Sequence, residues 1–205
     1  MRVLLALAAV LVTGPDVNKL VLQPAQVGDG YVMVQRRDGV GVNNTVTMNL
    51  CGTAGYPSER LRTARFQVDY LKPSAVLGLS NEVVAYKKGG AAQAMREALQ
   101  HAAQCPTKAI KTDPSLPPLR FSFERVKAAK LLPGYLAFRV RVTGTVKGKK
   151  VDQTSYAVYQ RKGDLLSGTY SFGPNTKAQL QFVLHAAQQS AINLRRGKAV
   201  SGPTA

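Results

Sequence analysis

The stretch Asn81–Pro106 reads NEVVAYKKGGAAQAMREALQHAAQCP and contains the pattern that decides the fold. A short apolar run leads into a Lys-Lys-Gly-Gly turn, and an alanine-rich segment with apolar residues at helical spacing follows. This order predicts a strand over Ser80–Tyr86 and an amphipathic helix over Gly90–Gln104. Pro106 prevents the helix from continuing, so the helix delivers Cys105 at its end.

Cys51 is the other cysteine of the chain, and it follows a predicted strand over Asn44–Leu50. Two cysteines in an exported chain most often pair, and a Cys51–Cys105 disulfide would fix the helix to that strand. Two unpaired buried thiols are one alternative. A reactive thiol is another, although the chain has no CxxC motif.

Alternating apolar residues predict further strands on both sides of this stretch. They are Tyr31–Arg36, Arg65–Leu71, Leu119–Glu124, Tyr135–Thr143, Val151–Arg161 and Leu165–Phe172. The last four follow one another through short turns, which predicts an antiparallel meander with one buried and one solvent-exposed face. A second amphipathic helix, capped by Asn175 or Thr176, is predicted to run to Arg195. The predicted fold class is therefore α+β, a twisted antiparallel sheet with two amphipathic helices packed on it.

The first residues suggest a targeting segment. Arg2 precedes the apolar run Val3–Val12, which suits the core of a signal peptide and is too short to span a bilayer. We expect a signal or membrane-anchor-like segment over residues 1–14, a single domain over 15–196 and a flexible tail over 197–205. The alternatives to such a segment are an apolar N-terminal helix and a start codon placed inside a longer leader. An exported or anchored chain would be extracytoplasmic.

Charge narrows the class of partner. The chain has 28 Lys and Arg against 11 Asp and Glu, a formal net charge of +17. Such a surface attracts anions, and nucleic acid, anionic lipid headgroups and a phosphate-rich envelope polymer all fit. A basic surface that serves only solubility is the alternative.

The sequence contains no recognisable catalytic or metal-binding pattern. G-x-S-x-G, GxGxxG and P-loop motifs are absent, and the sparse acids form no close pair at strand ends. The two histidines and two cysteines lack the spacing of a compact zinc motif. The four glutamates, Glu59, Glu82, Glu97 and Glu124, are predicted to neutralise nearby Arg and Lys. We therefore expect a non-enzymatic protein without metal or cofactor.

Two groups of residues are candidates for binding a ligand. The turn Lys87–Gly90 precedes a helix, where free N–H groups and two lysines favour an anion, and a plain turn is the alternative. The other group lies on two neighbouring predicted strands, whose polar, basic and tyrosine-bearing face is either a recognition surface or a solvated sheet face. The candidates are Lys87, Lys88, Gly89, Gly90, Arg139, Arg141, Tyr159 and Arg161.

Four segments together resemble a known family. They are VNKLVLQPAQVGDGY, NLCG, GGAAQAMREALQHAAQCP and YAVYQRKGDLLSGTYSFG. Over Asp16–Arg195 the chain resembles the actinobacterial PknH-like extracellular sensor domains, found outside receptor Ser/Thr kinases and in lipoproteins. The resemblance implies an antiparallel sheet with helices against it and a cleft for ligand sensing. It brings no catalytic residue, and only one disulfide can form here, whereas the kinase member of the family uses two.

The sequence thus predicts a non-enzymatic, extracytoplasmic, sensor-like ligand-binding domain. Its expected partner is an anionic envelope polymer, a lipid headgroup or a small ligand. A basic nucleic-acid-binding protein is the alternative, although the chain has neither an RNP-like aromatic pair on adjacent strands nor a helix-turn-helix signal.

Overall fold

A computed structural model describes residues 16–42, 51, 56–73, 77–105, 107–111, 115, 117–174 and 177–197. Several predicted features lie outside these residues. They are the segment 1–14, the strand Asn44–Leu50, the caps Asn175 and Thr176, and the tail beyond residue 197.

The described residues form seven strands and three α-helices. The strands are β1 (Val32–Val40), β2 (Arg62–Leu71), β3 (Gly78–Tyr86), β4 (Arg120–Arg125), β5 (Leu136–Val146), β6 (Lys149–Lys162) and β7 (Leu165–Phe172). The helices are α1 (Pro24–Val27), α2 (Gly90–Gln104) and α3 (Lys177–Arg196), and short 3-10 turns occur at Val17–Lys19 and Pro57–Leu61. None of these helices is both long and apolar enough to cross a bilayer.

All seven strands belong to one antiparallel sheet in the order β1-β2-β3-β7-β6-β5-β4. Strands β1 to β3 form one side of the sheet and β4 to β7 form the other, and the two sides join where β3 pairs with β7. The α+β class, an antiparallel sheet with helices packed on it, is confirmed.

The two long helices pack on opposite faces of the sheet. In β3, Leu79 and Val83 point into the core beneath α3, whereas Val84 and Tyr86 point into a second core beneath α2. Every residue of β3 is buried. The predicted meander begins beyond β3, and in its strand β7 residues 165–169 are likewise all buried. The prediction of one buried and one solvent-exposed face is therefore wrong for this part of β7.

Burial on both faces requires partners for the polar residues of β3. The Asn81 side chain donates to the Gly168 carbonyl and the Ser167 hydroxyl, both at 3.0 Å. Its carbonyl oxygen accepts the Leu22 N–H at 3.0 Å. One buried amide thus joins the N-terminal segment, β3 and β7 on the α3 face.

Helix α3 is held to the same face by polar contacts as well as by its apolar stripe. The Ser167 and Ser190 hydroxyls lie 2.7 Å apart, and the Gln160 amide donates to the Ala187 carbonyl at 2.8 Å. Ala187 and Ala191 are fully buried, so their small side chains bring the helix backbone close to the strands. These contacts determine where the C-terminal end of α3 lies.

The predicted pairing of Cys51 with Cys105 is confirmed, with 5.8 Å between their Cα atoms. Cys51 is buried in the core beneath α2, and the Tyr56 ring stacks on His101 of the same helix at 4.3 Å between centroids. The disulfide therefore fixes the C-terminal end of α2 to the segment that precedes Tyr56.

Strand β6 is longer than its neighbour β7. The β6–β7 pairing runs from Tyr156 to Lys162, whereas β6 itself begins at Lys149. Residues Lys149–Ser155 therefore pair only with β5 among the described strands. The β5–β6 hairpin turns at Lys147–Gly148, whose φ angles of 49° and 75° suit a two-residue turn with left-handed residues.

Removing the disulfide tests its contribution to stability. The bond spans 54 positions, and closing a loop of that length is worth about 4 kcal/mol in the chain-entropy description. We expect the C51S/C105S variant to lose roughly this free energy of unfolding in urea titrations. Reductant should destabilise the wild-type protein by a similar amount and leave the variant unchanged. Equal stability of the oxidised wild-type protein and the variant would contradict the assignment.

Candidate ligand-binding site

The candidate residues on β5 and β6 do not share one surface. The two-residue hairpin turn pairs Val146 with Lys149, so each odd-numbered β5 residue pairs with an even-numbered β6 residue, and the two lie on the same side of the sheet. Arg139 accordingly pairs with Tyr156 and points to the α3 face, whereas Tyr159 points to the α2 face and is buried. The predicted single surface is therefore wrong: Arg139 and Arg141 lie on one face of the sheet, and Tyr159 and Arg161 lie on the other.

Both arginines of β5 already have acidic partners. Arg141 contacts Asp152 through two hydrogen bonds of 2.8 and 2.6 Å, and these lower the pKa of the Asp152 carboxyl. Arg139 lies 3.4 Å from a carboxylate oxygen of Glu124. Both pairs are exposed to solvent, so each adds little to stability.

The turn before α2 binds an internal carboxylate. The Gly89 N–H donates to Asp164 Oδ1 at 2.7 Å, and the Gly90 N–H donates to the Lys87 carbonyl at 2.9 Å. The predicted anion position at Gly89 is therefore occupied by Asp164, from the turn between β6 and β7. The side chains of Lys87 and Lys88 remain exposed.

The same contacts bring several basic residues to one end of the sheet. The Tyr86 N–H donates to the Asp164 carbonyl at 2.9 Å, which places the start of α2 beside the β6–β7 turn. The Lys162 ammonium donates to the Arg195 carbonyl, which places the end of α3 there too. We call this region the basic end. It is defined by the exposed residues Lys19, Lys87, Lys88, Arg161, Arg195 and Arg196.

Three of these six cations, Lys87, Lys88 and Arg161, are candidates from the sequence, in two separate groups because their positions are far apart in the chain. Arg161 lies on the α2 face of the sheet, at the end where Lys87 and Lys88 precede α2. Leu166 pairs with Val84 on one side and with Arg161 on the other, and paired residues share a face. The hairpin around Gly163 gives a local signal only for the end of β6 and the start of β7. The end of β3 joins them through the β3–β7 pairing, for which the sequence has no local signal.

A buried polar cluster lies on the α2 face away from the basic end. Glu82 is 1% exposed and Arg65 is 3% exposed, and the Arg65 Nε and Glu82 Oε1 atoms form an ion pair. The remaining guanidinium nitrogens donate to the Asp38 carbonyl and to the Gln67 side chain, each at 2.6 Å. Asp38 reaches this position because the β1 register shifts between Gln35 and Val40.

Two tyrosines complete the polar cluster. The Tyr170 hydroxyl donates to Glu82 Oε2 at 3.2 Å, and its ring meets Tyr159 edge-on at 5.7 Å between centroids. A Cβ at Gly168 would overlap the Tyr170 hydroxyl, so glycine is needed at that position. Burial raises the pKa of Glu82 despite the opposing effect of Arg65, and burial also raises the pKa of both tyrosines.

The prediction that glutamates neutralise nearby arginines is confirmed for three of the four. Glu59 pairs with Arg62 at 2.7 Å, as Glu82 and Glu124 pair with arginines described above. Glu97 differs, because it accepts hydrogen bonds from Ser58 and from the Gln93 amide at 2.7 Å. Within the described residues, no three His, Cys, Asp or Glu side chains are grouped closely enough to hold a metal ion.

Comparison with known proteins shows a likeness in fold. No family model and no curated protein sequence matches the chain. Among solved structures, the chain is similar to the crystal structure of the extracellular domain of PknH from Mycobacterium tuberculosis. The TM-score is 0.51 at 16% sequence identity, and the alignment covers 84% of this chain and 93% of that chain. At this identity the likeness shows a shared fold.

The buried ion pair gives a mutational test. Removing one partner of a buried pair leaves an uncompensated charge and typically costs about 3–5 kcal/mol, whereas replacing both with apolar residues costs far less. We expect R65M, which leaves the Glu82 carboxylate buried without its partner, to lose about that much free energy of unfolding at neutral pH and R65M/E82L to lose markedly less. D152N, which breaks an exposed pair, should change the free energy of unfolding much less than R65M does. A smaller loss in R65M than in the double variant would contradict a desolvated pair.

The raised pKa of Glu82 has a consequence for pH dependence. The folded protein holds this proton at pH values where the unfolded chain has already released it. The free energy of unfolding of the wild-type protein, measured relative to E82Q, should therefore fall as pH rises above the ordinary glutamate pKa of about 4.5 and then level off. Urea titrations from about pH 4 to pH 8 measure this difference. A rise over the same interval would mean that Arg65 outweighs burial.

Proposed function

We propose that this chain is a non-enzymatic, sensor-like ligand-binding domain outside the cytoplasm that recognises an anionic component of the cell envelope. The observation that carries the proposal is the basic end. Its six exposed cations come from four separate parts of the chain, and the packing of α2, α3 and the β6–β7 turn brings them together.

Two observations support a location outside the cytoplasm. The Cys51–Cys105 disulfide is a bond that persists in oxidising compartments. The fold is similar to that of an extracellular domain over most of both chains. The apolar run within residues 1–14 agrees with export or anchoring.

The chemistry of the basic end favours an anion. The acids bonded within this end are Asp16, which pairs with Lys19 at 2.9 Å, and Asp164, which binds the Gly89 N–H. Neither of these two acids pairs with the other cations of the basic end, which remain exposed to solvent. A cluster of exposed cations raises the local concentration of anions and strengthens their binding. A polymer or surface with regularly spaced phosphates could contact several of these residues at once.

Exposed lysines at the other end of the sheet supply a matched control. Lys147, Lys149 and Lys150 are exposed at the β5–β6 hairpin. Replacing them with Gln removes three positive charges, as does K87Q/K88Q/R161Q at the basic end. The two variants therefore have the same net charge and differ in where the charge is lost.

The test measures binding of the full chain to poly(glycerol phosphate), to phosphatidylglycerol vesicles and to duplex DNA at equal phosphate concentration. We expect one of the envelope-type ligands to bind more tightly than DNA, and K87Q/K88Q/R161Q to weaken that binding more than the hairpin variant. Tighter binding to DNA, with a steep loss of affinity as salt increases, would replace the proposal with nucleic-acid binding. Fractionation of the native protein, with Cys51 and Cys105 found as free thiols in the cytosol, would refute the location.

A further inference from the structure

An open cavity of about 280 Å³ lies at the basic end, between the N-terminal segment and the last turn of α3. Its lining residues are Lys19, Leu20, Gln23, Gln26, Asn193 and Arg196. We propose that this cavity binds the phosphoryl group of the anionic ligand. This inference rests on the proposed function for the class of ligand, and it adds the site and the chemical group that the site recognises.

The floor of the cavity is a fixed pair of amides. The Gln26 amide donates to Asn193 Oδ1 and the Asn193 amide donates to Gln26 Oε1, both at 3.0 Å. Asn193 also donates to the Val21 carbonyl at 3.3 Å, and the Gln23 N–H donates to Gln26 Oε1 at 2.9 Å. This network holds the N-terminal segment against α3, so the cavity does not depend on a ligand for its shape.

The walls carry two cations suited to a phosphoryl group. Among the described residues, the acidic partner of Lys19 is Asp16, and their side chains are 83% and 50% exposed, so solvent weakens that pair. Arg196 makes no ion pair with the described residues. A guanidinium and an ammonium that line the same cavity can donate to different oxygens of one phosphoryl group.

A helix C-terminus would ordinarily repel an anion, because its free carbonyls carry partial negative charge. Here the Lys162 ammonium donates to the Arg195 carbonyl and lies 3.4 Å from the Gly197 carbonyl. The Gly197 N–H donates to the Asn193 carbonyl at 3.1 Å. The negative end of α3 is thus covered by a cation, and the electrostatic objection to an anion beside Arg196 is removed.

The position of the cavity is consistent with a ligand at a membrane or in the envelope. Lys19 lies three positions after Asp16, the first described residue, and residues 1–14 carry the predicted signal or anchor-like segment. A lipid headgroup and a soluble phosphate ester present the same phosphoryl chemistry to the cavity, so the experiment must separate the two sources.

The experiment compares the full wild-type chain with K19Q/R196Q and with K87Q/K88Q. Both variants lose two positive charges at the basic end, but only the first loses them from the cavity. The ligands are glycerol phosphate in solution and vesicles of phosphatidylcholine with or without phosphatidylglycerol. We expect K19Q/R196Q to weaken phosphoryl binding about 25-fold, as for two basic residues beside an anionic surface. We expect K87Q/K88Q, at the basic end but outside the cavity, to weaken it by a smaller factor.

Nuclear magnetic resonance supplies a local readout. Glycerol phosphate, or phosphatidylglycerol in vesicles, should shift the side-chain amide signals of Gln26 and Asn193. The side-chain amide of Asn81, buried on the same face of the sheet, should not move. Thermal unfolding of each variant verifies that the fold is intact, because all four substituted residues are exposed.

The outcomes separate the site from the function. Loss of glycerol phosphate binding in K19Q/R196Q supports the cavity and a soluble source, and loss confined to the vesicles supports the cavity and a lipid source. Equal loss in both variants, with no shift at Gln26 and Asn193, overturns the cavity and leaves the proposed function standing. A wild-type chain with no preference for any of these phosphate anions would overturn both.

Discussion

The rest of the structure depends on the complete burial of β3. This strand pairs on both edges, with β2 and β7, and a helix lies over each face, so none of its polar groups can reach water. Two adjacent polar residues, Asn81 and Glu82, nevertheless occupy its middle. Each is satisfied on its own face, Asn81 by β7 and the N-terminal segment, and Glu82 by Arg65 and Tyr170. Buried polar groups without such partners would each cost about 1–3 kcal/mol or more.

This requirement links distant parts of the chain. Asn81 holds Leu22, and the Leu22 carbonyl in turn accepts the Tyr70 hydroxyl, so the segment before α1 is fixed to β2 and β3. The same segment meets α3 through Gln26 and Asn193. The hydrogen bonds that the buried polar groups of β2 and β3 require therefore also fix the N-terminal segment that forms one side of the cavity beside Lys19. The shape of this surface cavity thus depends on contacts in the interior.

Local pattern was sufficient to predict most of the elements. The predicted helix Gly90–Gln104 has the bounds of α2, because strong periodicity and the flanking Gly and Pro mark it. The predicted strand Leu165–Phe172 has the bounds of β7, because flanking Gly residues mark its ends although its alternation is weaker. The predicted β1 ended at Arg36 rather than Val40, because the irregular stretch around Asp38 breaks the alternation. The count of two cysteines, together with the expected export of the chain, predicted the disulfide.

The candidate site was harder to predict, for two physical reasons. The face of each β5 and β6 residue depends on the register, and one position of difference moved Tyr159 away from Arg139. The basic end depends on which strand ends become neighbours, and the β3–β7 pairing that decides this joins residues about 90 positions apart, such as Gly78 and Phe172. A meander seen in sequence gives no information about that long-range pairing.

The extension of β6 beyond β7 has a consequence for the behaviour of the protein at high concentration. Between Lys149 and Gln153 the edge of β6 away from β5 presents backbone groups that no described strand uses, and such an edge can template the addition of a strand from another molecule. The lysines at its start oppose this, because two copies docking edge to edge would bring like charges together. Part of the excess positive charge therefore protects the chain against self-association, whatever ligand it binds.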